Sequence, residues 1–240
     1  MEQNIGEEYS IEEKATREGS RIFPDNPEGA NLVTKSILGS LSEEEESELT
    51  TLIEEKQYSP SVIELFKKSE QHDPSISRVE VNHGGNIRVL SEEPAKTIWT
   101  YGLGTCNATL TFAEMTDGSR ETLLTHYFPD KIQEQAEELS NLLSKVEKKN
   151  AEKIKSIIFT LGQKTEEKTE LEIEKPKLAL MLETIIRSQF PDSEIETIPY
   201  PKFHNRLSEK KDQGVLIANI PGKAKGDATF QTWFKNGVLS

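Results

Sequence analysis

Cys106 is the sole cysteine in 240 residues, and it follows two glycines that bracket a leucine in Thr100-Tyr101-Gly102-Leu103-Gly104-Thr105-Cys106. A single cysteine can form no internal disulfide and no C-x-x-C metal site, so the thiol is either a buried small hydrophobe or a nucleophile. Twenty residues downstream, Leu123-Leu124-Thr125-His126-Tyr127-Phe128-Pro129 sets a histidine in a short apolar, strand-like run, which suits a general base. A free thiol with a pKa of about 8.5 is only a few per cent thiolate at neutral pH, so thiol chemistry needs a neighbouring imidazole or positive dipole to stabilise the anion. Glycines let the backbone turn sharply and bring N–H groups close to a substrate carbonyl. Gly102, Gly104, Thr105 and Asn107 are therefore expected to form an oxyanion-binding loop. Polar Asn107 and small Thr105 on either side predict a thiol exposed at a turn. A third group must orient the imidazole, and Thr100 and Thr125 are the nearest candidates.

These residues resemble a known signature. The chemoreceptor glutamine deamidases of the CheD type, which look like distant relatives of the cytotoxic necrotizing factor deamidase toxins, carry T-x-G-L-G-[ST]-C. Thr100, Gly102, Leu103, Gly104, Thr105 and Cys106 match it position by position. Thr125-His126-Tyr127-Phe128-Pro129 resembles the family's later H-x-M-L-P-like strand in its His and Pro, with one residue fewer between them. The chain departs from the family in having Thr122-Leu123-Leu124-Thr125 where glycines usually precede the histidine. It has Thr160-Leu161-Gly162-Gln163 in place of a G-G-A motif and no I-G-x-R-N segment. The resemblance covers about residues 78–240. It implies a protein glutamine deamidase with Cys106 as nucleophile, His126 as base and Thr100 as third member, acting on a protein that presents glutamine, either a chemoreceptor or a host protein reached by an effector. Two other readings remain open: a cysteine hydrolase of another kind, such as a protease or small-amide hydrolase, and a catalytically silent binding module.

The elements that must position these residues are legible from periodicity. Arg78 to Val81 and Ile87 to Leu90 flank Asn82-His83-Gly84-Gly85-Asn86 and predict a hairpin. Thr97 to Thr100, Ala108 to Phe112 and Glu121 to Phe128 read as strands, with Asp117-Gly118 as a turn, so Cys106 and His126 fall near the ends of neighbouring strands. Asp130 is placed to cap a helix running to Lys149, and Ile154 to Leu161 reads as a central strand. A helix over 177–190 and strands at 195–198, 215–220 and 229–234, with a closing turn at Asn236-Gly237, complete one sheet. The expected class is α/β, a layered mixed β-sheet with an N-terminal helical extension.

The extension is marked by charge. Residues 1–75 hold 7 Lys and Arg against 18 Asp and Glu, a balance of −11, whereas the rest hold 22 against 24, or −2. Domains are therefore expected at 1–75 and 76–240. Residues 1 to about 30, polar and with Pro24, Pro27 and Gly29 close together, read as disordered or loosely attached. Ser42 with Glu45 forms a capping-box pattern, and Leu49, Leu52 and Ile53 then give a helical apolar stripe. A second helix from Pro60 would carry Val62, Ile63, Leu65 and Phe66 inward. This hairpin is read as an accessory or as a lid.

Several classes fall away. The acidic balance disfavours nucleic acid and anionic lipid as partners. No run of 18 apolar residues offers a membrane span, and the N-terminus has no secretory pattern. A cytoplasmic location follows, with delivery as a secreted effector lacking a classical signal as the alternative. Gly102-x-Gly104 lacks the third glycine of a dinucleotide fingerprint, and His72 and His204 lack a second ligand at metal spacing, so no cofactor or metal is implied. His83 reads as a solvent-exposed loop histidine.

Overall fold

The computed structural model describes residues 10–161, 177–200 and 211–240. The chain divides into two compact units, one ending at Ile63 and one beginning at Glu64.

In the first unit, α1 (Ile11–Ile22) and α2 (Pro27–Ile37) occupy much of the stretch expected to be loose. The reason is local capping. Ser10 accepts from the Glu13 N–H while the Glu13 carboxylate accepts from the Ser10 N–H, and Asn26 caps α2 ahead of Pro27 in the first turn. The two helices cross closely at Gly19, where a Cβ would lie 2.2 Å from the Ala30 carbonyl oxygen. α3 (Glu43–Gln57) starts at the Ser42–Glu45 capping box, and Lys35 pairs with Glu45. The next helix, α4, spans Pro60–Glu70.

The second unit is built on two five-stranded mixed sheets. β1 (Ile76–Arg78), β3 (Lys96–Thr100), β8 (Leu216–Ile220), β9 (Thr229–Thr232) and β10 (Asn236–Val238) form the first, in that order. β2 (His83–Val89), β5 (Arg120–Tyr127), β4 (Asn107–Met115), β6 (Ala151–Leu161) and β7 (Glu194–Tyr200) form the second. Among the described strands β1–β3 and β6–β7 pair in parallel and the other neighbours antiparallel.

Alternation along the strands sorts the side chains into two cores. Ala108, Leu110, Phe112, Leu124, Ile157 and Phe159 of the second sheet meet Ile98, Leu216, Ala218, Ile220 and Phe230 of the first. On the opposite face of the second sheet, Ala113, Met115, Leu123 and Ile158 meet α5 (Ile132–Lys145) and α6 (Lys177–Gln189) through Leu139, Leu142, Leu143, Leu182 and Ile186. The result is the expected layered α/β fold: sheet, sheet, helices.

Four expectations are corrected. β1 and β2 form no hairpin, because β1 pairs with β3 in one sheet and β2 with β5 in the other. Asp130 lies in a short 3₁₀ turn, Pro129–Lys131, and supplies no side-chain cap to α5, which ends at Lys145. Asn236 and Gly237 open β10 rather than turn the chain, and β7 joins the second sheet while β8 to β10 join the first.

Candidate active site

The motif loop is the crossing point between the sheets: β3 ends at Thr100 in the first, and β4 begins at Asn107 in the second. Gly102 has φ +79°, a left-handed conformation that glycine adopts without steric cost. Leu103 is fully buried, and its N–H donates to the Gly214 carbonyl at 3.0 Å. The Gly104 N–H donates to the Gly102 carbonyl at 2.7 Å. The Tyr101 ring packs against Phe66 and Trp99, with centroids 4.9 and 5.7 Å away. The loop is thus anchored at both ends while Gly102 and Thr105 remain exposed.

Thr100 and His126 meet across the two sheets. The Thr100 hydroxyl oxygen lies 2.7 Å from the Val79 carbonyl oxygen and 2.7 Å from His126 Nδ1. A hydroxyl has one proton and a carbonyl can only accept, so Thr100 donates to Val79 and accepts from His126 Nδ1–H. That assignment leaves the lone pair on Nε2, which is buried and has no hydrogen-bond partner. Thr125, the other sequence candidate for this role, points to the helix-facing side instead. It shares a 2.6 Å hydrogen bond with the Thr109 hydroxyl and accepts from Gln135 Nε2 at 3.0 Å.

Strand register brings Cys106 to the same face. Ala108 lies directly opposite His126, and Cys106 is two residues before Ala108, in the diagonal position. Opposite and diagonal residues of an antiparallel pair present side chains on one face, with diagonal Cα atoms about 7–8 Å apart. Cys106 belongs with Ala108 to the inter-sheet core. Its thiol, expected to be exposed at a turn, is 2% exposed, because Leu103 pulls the loop inward and Asn107 is already paired with Tyr127 in β4. The expected oxyanion loop is partly committed as well: the Gly104 N–H faces Gly102, and Asn107 is a buried strand residue.

Burial also sets the protonation states. It pushes the Cys106 thiol up to about 11; a backbone hydrogen bond from Thr105 opposes the shift and the Asp130 carboxylate adds to it. It lowers His126 to about 4. At neutral pH the Cys106 thiol and the His126 imidazole are therefore both neutral, and the thiolate expected from sequence is not formed.

The histidine shift has a measurable consequence. Unfolded, His126 binds a proton near 6.5; folded, it does so only near 4, so between those values the unfolded state holds more protons. Its contribution to stability is complete above pH 6.5 and is lost as pH falls towards 4, by about 3 kcal/mol. Urea unfolding at pH 7 and pH 4.5 should therefore show a smaller acid loss for His126→Gln than for the native protein. Equal losses would reject the neutral buried imidazole.

Two contacts of these residues carry no sequence signal. Val79 acts through its carbonyl, which any residue would supply. Tyr200 closes β7, and its phenol donates to the Cys106 carbonyl. His83 is exposed as expected, but it opens β2 directly opposite His126 rather than sitting in a hairpin loop. His204, Gly162 and Gln163 lie outside the described residues. Among the described residues no group of three or more His, Cys, Asp or Glu is placed to hold a metal ion, and no helix is long and apolar enough to cross a membrane. A surface cavity of about 540 Å³, lined by Lys148, Ile154, Phe190 and Ser193 among others, includes none of the motif residues.

No family model matches the chain, and no curated protein matches it. Among solved structures it is similar to the crystal structure of the C-terminal domain of CNFy from Yersinia pseudotuberculosis, at 11% identity and a TM-score of 0.31. That likeness covers 69% of this chain, which spans 60% of the length of the other.

Proposed function

We propose that residues 64–240 form a cysteine-dependent amidohydrolase that deamidates glutamine side chains presented by a protein, with Cys106 as nucleophile, His126 as general base and Thr100 orienting the imidazole. The observation that carries the reading is the Thr100–His126 hydrogen bond, which leaves a deprotonated Nε2, buried and without a partner, on the face that carries Cys106. An unpaired buried nitrogen costs stability, and a base awaiting a proton accounts for its being tolerated.

In this mechanism Nε2 takes the thiol proton as Sγ forms a bond to the carboxamide carbon, so no free thiolate is needed beforehand. The imidazolium returns the proton to the departing –NH₂, the C–N bond breaks, and ammonia leaves a thioester on Cys106. Water then attacks the thioester carbon and gives its proton to Nε2. The C–S bond breaks, Sγ is reprotonated, and glutamate is released. Gly102 and Thr105 are the exposed residues of the motif loop, so the substrate would approach from their side. The resemblance of the motif points to a chemoreceptor or a host protein as substrate.

The burial of Cys106 favours one competing reading, a binding module that keeps the arrangement without turnover. The two are separated by incubating the full chain with glutamine-rich receptor fragments and peptides and measuring ammonia together with a mass gain of about one dalton on the substrate. Ammonia matched to the mass gain, absent with Cys106→Ser, is expected. Binding of a fragment with neither signal would replace the deamidase by the binding module, and peptide cleavage would replace it by a protease.

A further inference from the structure

We propose that Tyr200 is a positioning residue for the nucleophile, its phenol holding the Cys106 carbonyl and thereby the direction in which the thiol is presented. The inference rests on the catalytic reading of Cys106, although two of the three readouts in its test do not.

The register explains how a residue 94 positions away reaches this point. β4 and β6 pair as far as Ala108 opposite Phe159, and β6 and β7 pair Phe159 with Ile198 and Leu161 with Tyr200. Continued by two residues, the first ladder sets Cys106 level with Leu161, and the second sets Leu161 level with Tyr200. Cys106 and Tyr200 therefore share one row, separated by the β6 strand, and both belong to the inter-sheet core. The β4–β6 ladder has stopped by that row. A buried carbonyl beyond the last ladder pair needs another donor, and the Tyr200 O–H provides it.

The phenol is held as a donor. Tyr200 is 1% exposed, and its ring packs on Trp233 and Phe234 at centroid distances of 5.5 and 6.5 Å. Burial, with a smaller repulsion from Cys106, pushes its acidity weaker than that of a free phenol, so the proton stays on oxygen through the neutral range. The loop before Cys106 is tethered on its other side through the Leu103 N–H and the Gly214 carbonyl. Between these two tethers the backbone of the nucleophile has little freedom, which an in-line attack on a carboxamide requires; misplacement by about 1 Å costs on the order of 100-fold in rate.

Tyr200→Phe keeps the ring and removes the donor. Three readouts are expected together in the full chain. Turnover falls roughly 10- to 100-fold with KM within about twofold, because orientation and not binding is lost. Iodoacetamide modifies the protein faster than it modifies the native chain, because the freed loop uncovers the thiol. The carbonyl ¹³C resonance of the single cysteine moves upfield on loss of its hydrogen bond. A folded Tyr200→Phe protein with native turnover, native alkylation rate and an unmoved resonance overturns the assignment, whatever its melting temperature. If the native enzyme turns over no glutamine substrate, the alkylation and carbonyl readouts still decide the point, so failure of the deamidase reading is not mistaken for failure of this one. Should Tyr200→Phe not fold, 3-fluorotyrosine at position 200, a stronger donor, should move the cysteine carbonyl resonance downfield; no movement overturns the proposal equally.

Discussion

Cys106→Ser and His126→Ala should each remove nearly all glutamine deamidation, and the double variant should be no worse than the poorer single one. A positioned general base contributes about 100- to 10,000-fold, and a nucleophile and its base act as a unit whose losses do not add. His126 Nε2 is buried and has no hydrogen-bond partner, and under the proposed mechanism it is the atom that takes the Cys106 proton. Thr100→Val should fall between native and His126→Ala. It removes the acceptor that holds Nδ1–H and so frees the imidazole to adopt the other tautomer, with Nε2 protonated. The pH dependence carries the signature of a neutral pair. With His126 near 4 and Cys106 near 11, kcat/KM should be level from roughly pH 5 to 10, whereas a thiolate–imidazolium pair would give a bell with a limb near neutrality. Strictly additive losses, or a bell centred near pH 7, would reject the concerted base.

Arg120→Ala should be the most destabilising single change in the second unit, by about 3–5 kcal/mol, the usual loss when one partner of a buried ion pair is removed. The Arg120 side chain is 4% exposed. Its guanidinium donates to the Pro221 carbonyl at 3.0 Å and to the Gly226 carbonyl at 2.6 Å, both in the connection between β8 and β9, and to Glu114 at 3.4 Å. It also sits over the Phe112 ring at 5.8 Å. One side chain thus joins a strand of the second sheet to a connection of the first, and its removal leaves the Pro221 and Gly226 carbonyls without this donor and Glu114 with Lys223 alone. Arg120→Lys should recover little, because a single ammonium cannot reproduce the planar fork. Both tryptophans, Trp99 and Trp233, lie in this unit, so their fluorescence in urea reads its unfolding directly. A loss under about 1 kcal/mol would mean that the connection finds other donors.

Most of the elements around the candidate residues were legible without coordinates, because the signals are local. Ser42 and Glu45 are three residues apart, the apolar positions of 132–146 recur at helical spacing, and Ala108, Leu110 and Phe112 alternate with threonines. Each pattern depends on one element's own period. The weak expectations failed where a local signal admitted two partners. The glycines of Gly84-Gly85 suit a hairpin loop, yet they lie within β2 and pair with Thr125 and Leu124. Asp130 is a good cap by type, but Pro129 draws it into the 3₁₀ turn ahead of the helix.

What the sequence by itself determined is the presence of a single thiol, a glycine-bracketed loop ahead of it, a strand-borne histidine and a layered α/β class. Tertiary structure alone decided that the ten strands among the described residues divide into two sheets, that Thr100 rather than Thr125 meets His126, and that the Cys106 thiol is buried and protonated. It also decided that Val79 bonds Thr100, Tyr200 bonds Cys106 and Arg120 bonds Gly226, through contacts spanning 21, 94 and 106 residues. The physical reason is the same in each case. A side chain's periodicity is set by its neighbours in the chain, whereas its hydrogen-bond partner, its burial and therefore its pKa are set by whichever distant strand packs against it.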